Sequence, residues 1–191
     1  MKFKKIHLIV FALIVVGTFL FFIIKKDVPN IPDNIWTPRA NNQIKNQPLQ
    51  LTSDNSVEYL NTSHSFSFKY PKDMKVENFK ESEDSPEVIL VQNANEGKGF
   101  QIVITPFDED VGNKLSKERI KLDVPDLLVK DEQSILIGQN GEGLAFLSDN
   151  ADFGGKSREV WFVFNGFLYQ ISTYAHLDPI LQSVFSTWQF K

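Results

Sequence analysis

The chain contains no cysteine among its 191 residues. This absence excludes disulfide bonds, zinc sites with cysteine ligands, iron–sulfur clusters and a thiol nucleophile. It also excludes a bacterial lipoprotein anchor, which needs a cysteine to acylate. Histidine is scarce as well, because only His64 and His176 follow the N-terminal segment. The sequence therefore offers few of the side chains on which nucleophilic and metal-dependent enzymes rely.

Positive charge is scarce over most of the chain. Residues 1–27 hold five lysines and one aspartate. Because the whole chain carries a net charge of −4, residues 28–191 carry −8. A domain this acidic repels a phosphate backbone, so we expect no nucleic-acid partner. Anionic lipid is expected to attract only the lysines near the N terminus.

One long hydrophobic run extends from Ile6 to Ile24, with lysines on both sides. As a helix it is about 28 Å long, close to the thickness of a bilayer's hydrocarbon core. We expect an uncleaved membrane anchor, with the short tail inside and the remainder outside the cytoplasm. A cleaved signal peptide is the alternative. Small residues before a cleavage point are missing, and Val15 and Gly17 lie within the apolar run.

The next stretch, 27–50, has four prolines, many amides and no regular period. This composition is typical of a flexible tether. Trp36 is its main apolar residue, and we expect it at the membrane interface or on the domain, with a binding motif as the alternative. The chain therefore divides into a tail and anchor (1–26), a tether (27–50) and one extracytoplasmic domain (51–191).

Alternating apolar and polar residues predict strands throughout the domain, as at Phe66–Phe68. Glycine-containing turns at 97–99 and Asn165–Gly166 predict hairpins, and Asn140–Gly141 predicts a hairpin with a type I′ turn. Apolar residues at both odd and even positions of 159–164 predict a central strand that is covered on both faces. The predicted core comprises Trp161, Phe162, Phe164, Tyr169, Ile171, Leu181 and Phe185.

Two helices are predicted. Ser116 is expected to cap a short helix that ends near Leu122. Asp178 is expected to cap a second helix, with Pro179 at its first position. The apolar stripe of this helix comprises Ile180, Leu181, Val184, Phe185 and Trp188. With about eight mostly antiparallel strands, the predicted class is α+β, with a central antiparallel sheet and flanking helices.

Two short sequence segments that are rich in aromatic residues resemble segments of PsbP-like domains. They are FSFKYP at 66–71, and NGFLYQI at 165–171 followed by a helix and Trp188-Gln-Phe190. The resemblance covers about residues 56–191 and implies an α/β/α sandwich and a non-enzymatic role. Plant members are subunits of photosystem II, and many bacterial relatives are anchored or secreted. Met74 occupies the place of a common family tryptophan. Because the anchor and tether are not those of the photosynthetic proteins, we carry over the fold and not the photosynthetic role.

Two glycine-rich stretches are expected to be turns. Residues 152–157 end like a phosphate-binding loop, but Asn150 replaces the required glycine and a strand is predicted to follow Lys156. The glycines at 138, 141 and 143 similarly lie in a predicted hairpin and do not precede a helix.

Candidate catalytic and metal-binding residues also receive structural interpretations. Ser65 follows His64, and Asp178 follows His176 closely, but sequence neighbours do not make a catalytic triad. Both histidines are expected at the surface or at strand ends. The acidic runs 81–87 and 108–110 lack calcium-loop spacing and are expected to be solvated. Asn61-Thr-Ser63 would be a glycosylation site only in a eukaryotic secretory pathway. We therefore assign no catalytic, cofactor-binding or metal-binding residue and no cofactor.

The sequence favours a membrane-anchored, extracytoplasmic and non-catalytic module that binds a protein or cell-envelope partner. The alternative is an extracytoplasmic hydrolase or metal-dependent enzyme whose site has no familiar motif. A tight polar cleft with a paired nucleophile and base would favour the enzyme.

Overall fold

The computed structural model describes residues 49–83, 85–107, 115–139 and 141–191. The expected anchor, Ile6–Ile24, and nearly all of the expected tether lie outside these residues. Within the described ranges, no helix has both the length and the apolar character needed to cross a membrane.

The described residues form ten strands, two α-helices and two short 3₁₀ turns. The strands are β1 (Ser56–Asn61), β2 (Phe66–Pro71), β3 (Lys75–Phe79), β4 (Glu87–Asn93), β5 (Lys98–Pro106), β6 (Lys130–Ile137), β7 (Gly141–Ser148), β8 (Ser157–Phe164), β9 (Phe167–Tyr174) and β10 (Gln189–Phe190). The helices are α1 (Lys117–Asp123) and α2 (Asp178–Phe185), and the 3₁₀ turns are Ala151–Phe153 and Ala175–Leu177.

The strands form two sheets. The small sheet has the order β1-β2-β10, and the large sheet has the order β3-β4-β5-β9-β8-β7-β6. Every described strand pair is antiparallel. The predicted central antiparallel sheet is therefore confirmed, and the hairpin predicted around Asn165–Gly166 supplies β8 and β9 near the middle of the large sheet.

The hairpin predicted at Asn165–Gly166 is confirmed, and its turn is of type I′. Asn165 and Gly166 have φ angles of 48° and 75°, which are the left-handed values that this turn requires. The hairpin between β6 and β7 differs in detail from the prediction. Gly141 is already a strand residue and pairs with Ile137. The turn therefore begins two positions earlier than predicted, at Gly138, which has a φ of 61°.

One face of the large sheet packs against the small sheet and α2. Aromatic rings dominate this cluster, because Trp188 stacks on Phe66 and Phe68 with centroid distances of 4.7 and 5.2 Å. Phe162 stacks on Tyr169 at 4.7 Å. Of the predicted core, Phe164 and Phe185 are partly buried and the remainder is buried. β2 thus covers part of this face. The predicted α/β/α sandwich, with helices over both faces of the sheet, is therefore only partly correct.

The opposite face of the large sheet packs against α1 and the loops around it. Ile120 of α1 belongs to a second cluster with Phe146, Trp161 and Leu168. Ser116 caps α1 as predicted, because its Oγ accepts a hydrogen bond from the Arg119 N–H at 3.2 Å. With clusters on both faces, seven of the eight residues of β8 are buried, which confirms the prediction for this strand.

The start of α2 corrects one prediction. Asp178 is the first residue of the helix, and the preceding residue, Leu177, provides no side-chain cap. The Asp178 carboxylate instead contacts the buried guanidinium of Arg158 in β8, with Oδ1 3.0 Å from Nε. An ion pair to the sheet has therefore replaced the expected capping hydrogen bond.

Candidate functional site

A groove of about 540 Å³ lies between α2 and the strands β6, β7 and β8. Ala145 of β7, Val160 of β8, Leu181 of α2 and Trp188 line its buried part, and each is at most 3% exposed. A volume of this size and a mostly apolar lining are typical of ligand sites. The groove is therefore a concave surface that could take an apolar group.

The exposed border of the groove is uncharged and, apart from Leu136, polar. It includes Gln139, Gln182, Ser186 and Gln189. Among the described lining residues, Asp178 alone carries a charge, and this charge faces the Arg158 guanidinium. The groove therefore suits an uncharged partner, because a buried charge there would lose hydration without gaining an opposite charge.

The Arg158–Asp178 pair fixes one end of the groove. Arg158 is 1% exposed. Burial lowers the pKa of its guanidinium, while the nearby Asp178 carboxylate opposes that shift. Gln182 also donates a hydrogen bond from Nε2 to Asp178 Oδ2. The ion pair ties α2 to β8, and the hydrogen bond, which lies within α2, orients the Asp178 carboxylate.

Strand β6 borders the groove and ends the strand order of the large sheet on that side. Ile135 packs against the first cluster. Its neighbour Leu136 points to the other face of the strand, as alternation requires, and is 74% exposed. A strand edge and an apolar groove are thus adjacent to each other.

A second polar site joins the β1–β2 turn to β4. His64 Nε2 lies 3.1 Å from Glu87 Oε2, and the two side chains are 10% and 14% exposed. Asn61 completes the cluster. Its Nδ2 donates to Glu87 Oε1 at 2.8 Å, and its Oδ1 accepts from the His64 N–H at 2.9 Å. His64 thus lies between two strand ends, which is one of the two predicted positions, and the fold also brings it to a carboxylate from another strand.

The surroundings of His64 are aromatic. Its ring contacts Phe167 edge-on, with centroids 4.6 Å apart. Burial raises the pKa of the nearby Tyr169 hydroxyl, and the Glu87 charge adds to this shift. Among the described hydrogen bonds, none joins His64 to a serine or threonine hydroxyl, and the backbone carbonyl of Ser65 accepts from the Lys191 N–H at 2.7 Å. A histidine and its orienting acid are present, but these contacts supply no nucleophile.

The other candidates from the sequence do not assemble into sites. His176 is exposed, although partial burial lowers its pKa, and its ring packs on Tyr174. Residues 152–157 form a turn with left-handed glycines at 154 and 155, and β8 follows, as predicted. The acidic run 108–110 lies outside the described residues. Within the described ranges, no group of three or more acidic, histidine or cysteine side chains could hold a metal ion.

One buried acid was not anticipated from the sequence. Glu159 in β8 is 2% exposed. It accepts hydrogen bonds from Ser157 Oγ at 2.6 Å, from Ser172 Oγ, and from Trp161 Nε1 at 3.4 Å. Burial raises the pKa of its carboxyl, and these donors oppose the shift. Its position is far from solvent, so we interpret this cluster as structural.

No model of a known protein family matches the sequence, and no curated protein matches it. A solved structure that the chain is similar to is the solution structure of cyanobacterial PsbP (CyanoP) from Synechocystis sp. PCC 6803. The TM-score is 0.46 and the sequence identity 11%, over 72% of this chain and 93% of that chain. A similarity of this extent carries no information on activity or partners.

Proposed function

We propose that the chain is a non-catalytic binding module that the Ile6–Ile24 segment holds at a membrane, with the domain outside the cytoplasm. Its binding surface is the groove between α2 and β6–β8, and its partner is an uncharged, apolar segment of a cell-envelope protein. The observation that carries this proposal is the groove itself, which combines a buried apolar lining with an uncharged border.

Burial of apolar side chains supplies the binding energy in this proposal. Removing one leucine-sized side chain from water stabilises a complex by about 1.5–3 kcal/mol. The groove has room for more than one such group, because its volume is about 540 Å³. A tether between anchor and domain increases the chance of meeting a bulky partner near the membrane.

The groove is tested with N-phenyl-1-naphthylamine, an uncharged apolar dye that fluoresces when it leaves water. Residues 49–191 contain both sheets and both hydrophobic clusters, so this part is used, with folding checked by circular dichroism. We expect Ser186→Trp to weaken dye binding at least about tenfold, or about 1.4 kcal/mol, because Ser186 lines the groove.

Ser53→Trp is the matched control, because Ser53 is also exposed but does not line the groove. This variant is expected to bind the dye like the unmodified domain. Equal binding by the Ser186→Trp variant would show that the dye binds elsewhere and would remove the groove from the proposal.

A second candidate function is a hydrolase that uses the His64–Glu87 pair, which has the geometry of a general base and its orienting acid. The binding-module proposal predicts no turnover on ester, phosphoester, glycoside and peptide substrates, with or without added divalent metals. Turnover that is abolished by His64→Ala, but retained by His176→Ala, would establish the enzyme instead.

A further inference from the structure

We infer that the partner is an extended polypeptide that pairs as an added strand with residues 133–137 of β6 and directs apolar side chains into the groove. This inference rests on the groove proposed above as the binding surface. Three properties of β6 lead to it: an unequal distribution of charge, a regular second half, and apolar side chains on both faces.

The first half of β6 is protected against pairing. Lys130, Asp131 and Glu132 are charged and exposed. The pairing of β6 with β7 shifts register between Lys130 and Gln133, and Asp131 has a left-handed φ of 52°. Charged side chains and a bulge are the devices by which natural edge strands avoid pairing with other chains.

The second half of β6 has neither protection. Residues 133–137 read QSILI and carry no charge. They pair with β7 in one continuous register, from Gln133 opposite Ala145 to Ile137 opposite Gly141. A regular antiparallel strand directs alternate backbone N–H and C=O groups away from its neighbour. This half of the edge can therefore bind a further strand by its backbone.

The other edges described in the fold differ from this one. β3, at the opposite end of the large sheet, carries Lys75 and Glu77 within its five residues. β1, at one edge of the small sheet, carries Glu58, which lies 3.6 Å from the Lys191 Nζ. β10 has only two residues. Residues 133–137 thus form the longest uncharged edge among the described strands.

The side chains of this half also favour an added strand. Ile135 lines the groove on one face, and Leu136 is 74% exposed on the other. A strand beside β6 would place alternate side chains against each of them, because cross-strand neighbours contact on both faces. The expected partner segment is uncharged over about five residues and carries an apolar residue at every second position that faces the groove.

The test uses the full chain in lipid nanodiscs. A displayed library of random ten-residue peptides is first depleted on empty nanodiscs and then selected on the loaded ones. The enriched peptides are synthesised, and their affinity is measured. Amide hydrogen exchange, resolved to single residues by mass spectrometry, then reports which backbone groups each peptide protects.

We expect uncharged peptides with alternating apolar residues, and slower exchange at alternate amides of residues 133–137. Leu136→Lys is expected to weaken their binding at least about tenfold. Leu122→Lys is the matched control, because Leu122 is 75% exposed on α1, and it should change affinity less than about twofold.

Three results would overturn the inference: no enriched peptide, enriched peptides that leave the β6 amides unprotected, or equal affinity for the Leu136→Lys chain. A helical peptide in the groove would give the second result. Dye binding that remains sensitive to Ser186→Trp would then preserve the groove while excluding strand addition. Loss of both signals would exclude the groove as well.

Discussion

Arg158 and Asp178 form an ion pair that connects the centre of the large sheet to the first turn of α2. The Nε–Oδ1 distance is 3.0 Å, and the two side chains are 1% and 8% exposed. Because α2 forms one wall of the groove, this pair links that wall to β8. Its energetics can be measured directly.

Asp178→Ala is expected to destabilise the domain by about 3–5 kcal/mol, because it leaves a buried guanidinium without this carboxylate. Urea unfolding measures the loss. Asp126→Ala is the control, since Asp126 is exposed, and it should cost less than about 0.5 kcal/mol. Replacing both partners, with Arg158→Met and Asp178→Leu, should recover much of the loss. A small effect of Asp178→Ala alone would show that Asp131, whose charge also acts on Arg158, compensates.

Phe162→Ala is expected to cost about 3–5 kcal/mol of unfolding free energy. Phe162 is 1% exposed, stacks on Tyr169, and contacts Trp188 edge-on, so the smaller side chain leaves a cavity that its neighbours cannot fill. Phe79→Ala provides the comparison, because Phe79 is 48% exposed. Equal losses for the two variants in urea unfolding would contradict the assignment of Phe162 to the core.

Glu159 is expected to make stability fall as pH rises. Burial raises its folded-state pKa above the ordinary value of 4.5, so the folded state binds this proton more tightly than the unfolded state does. The stabilisation is complete below pH 4.5 and is lost as pH rises through the folded-state pKa. Glu159→Gln removes this titration. The free energy of unfolding of the unmodified domain, minus that of the variant, should decrease between pH 4 and pH 8.

The measurement is a series of urea unfolding curves for both proteins at matched ionic strength. The difference between them isolates Glu159 from the other carboxyl groups, which titrate in both. A difference that is constant with pH, or that rises with it, would mean that hydrogen bonding favours the charged carboxylate at least as much as burial disfavours it.

The position of the domain outside the cytoplasm is a separate prediction. Protease added to intact cells or spheroplasts should digest residues 51–191, because the lysine distribution around Ile6–Ile24 favours this orientation. Immunoblotting of the fragments provides the readout, with a cytoplasmic protein as the control for integrity. Digestion only after lysis would reverse the orientation.

Local patterns predicted much of the fold. The β8–β9 hairpin depends on two adjacent residues that adopt left-handed φ angles. The α1 cap depends on Ser116, whose hydroxyl accepts a hydrogen bond from the N–H three residues further on. Such signals lie within a few positions of the structure they produce. The apolar residues at both odd and even positions of β8 similarly predicted that both faces of this strand are covered. Such a pattern reports directly which side chains are buried.

The sites depend on contacts that no local pattern encodes. His64 and Glu87 are 23 positions apart, and Arg158 and Asp178 belong to different elements. In the sequence, Asp178 resembled a helix cap because aspartate is a common capping residue and a proline follows it. In the structure, its carboxylate instead contacts the Arg158 guanidinium of β8. The groove is a gap between a helix and three strands, so it appears only when their packing is known.

The small sheet contains both the first and the last described strand. β1 follows the described start of the chain, β10 lies at its end, and both pair with β2. In the proposed membrane-anchored arrangement, a partner held in the groove would pull on a domain whose connection to Ile6–Ile24 passes through β1. Such a load reaches the six residue pairs that join β1 to β2. When a force acts along two strands, their backbone hydrogen bonds share it and must break together. The pairing of β1 with β2 would then set the mechanical strength of the link between partner and membrane.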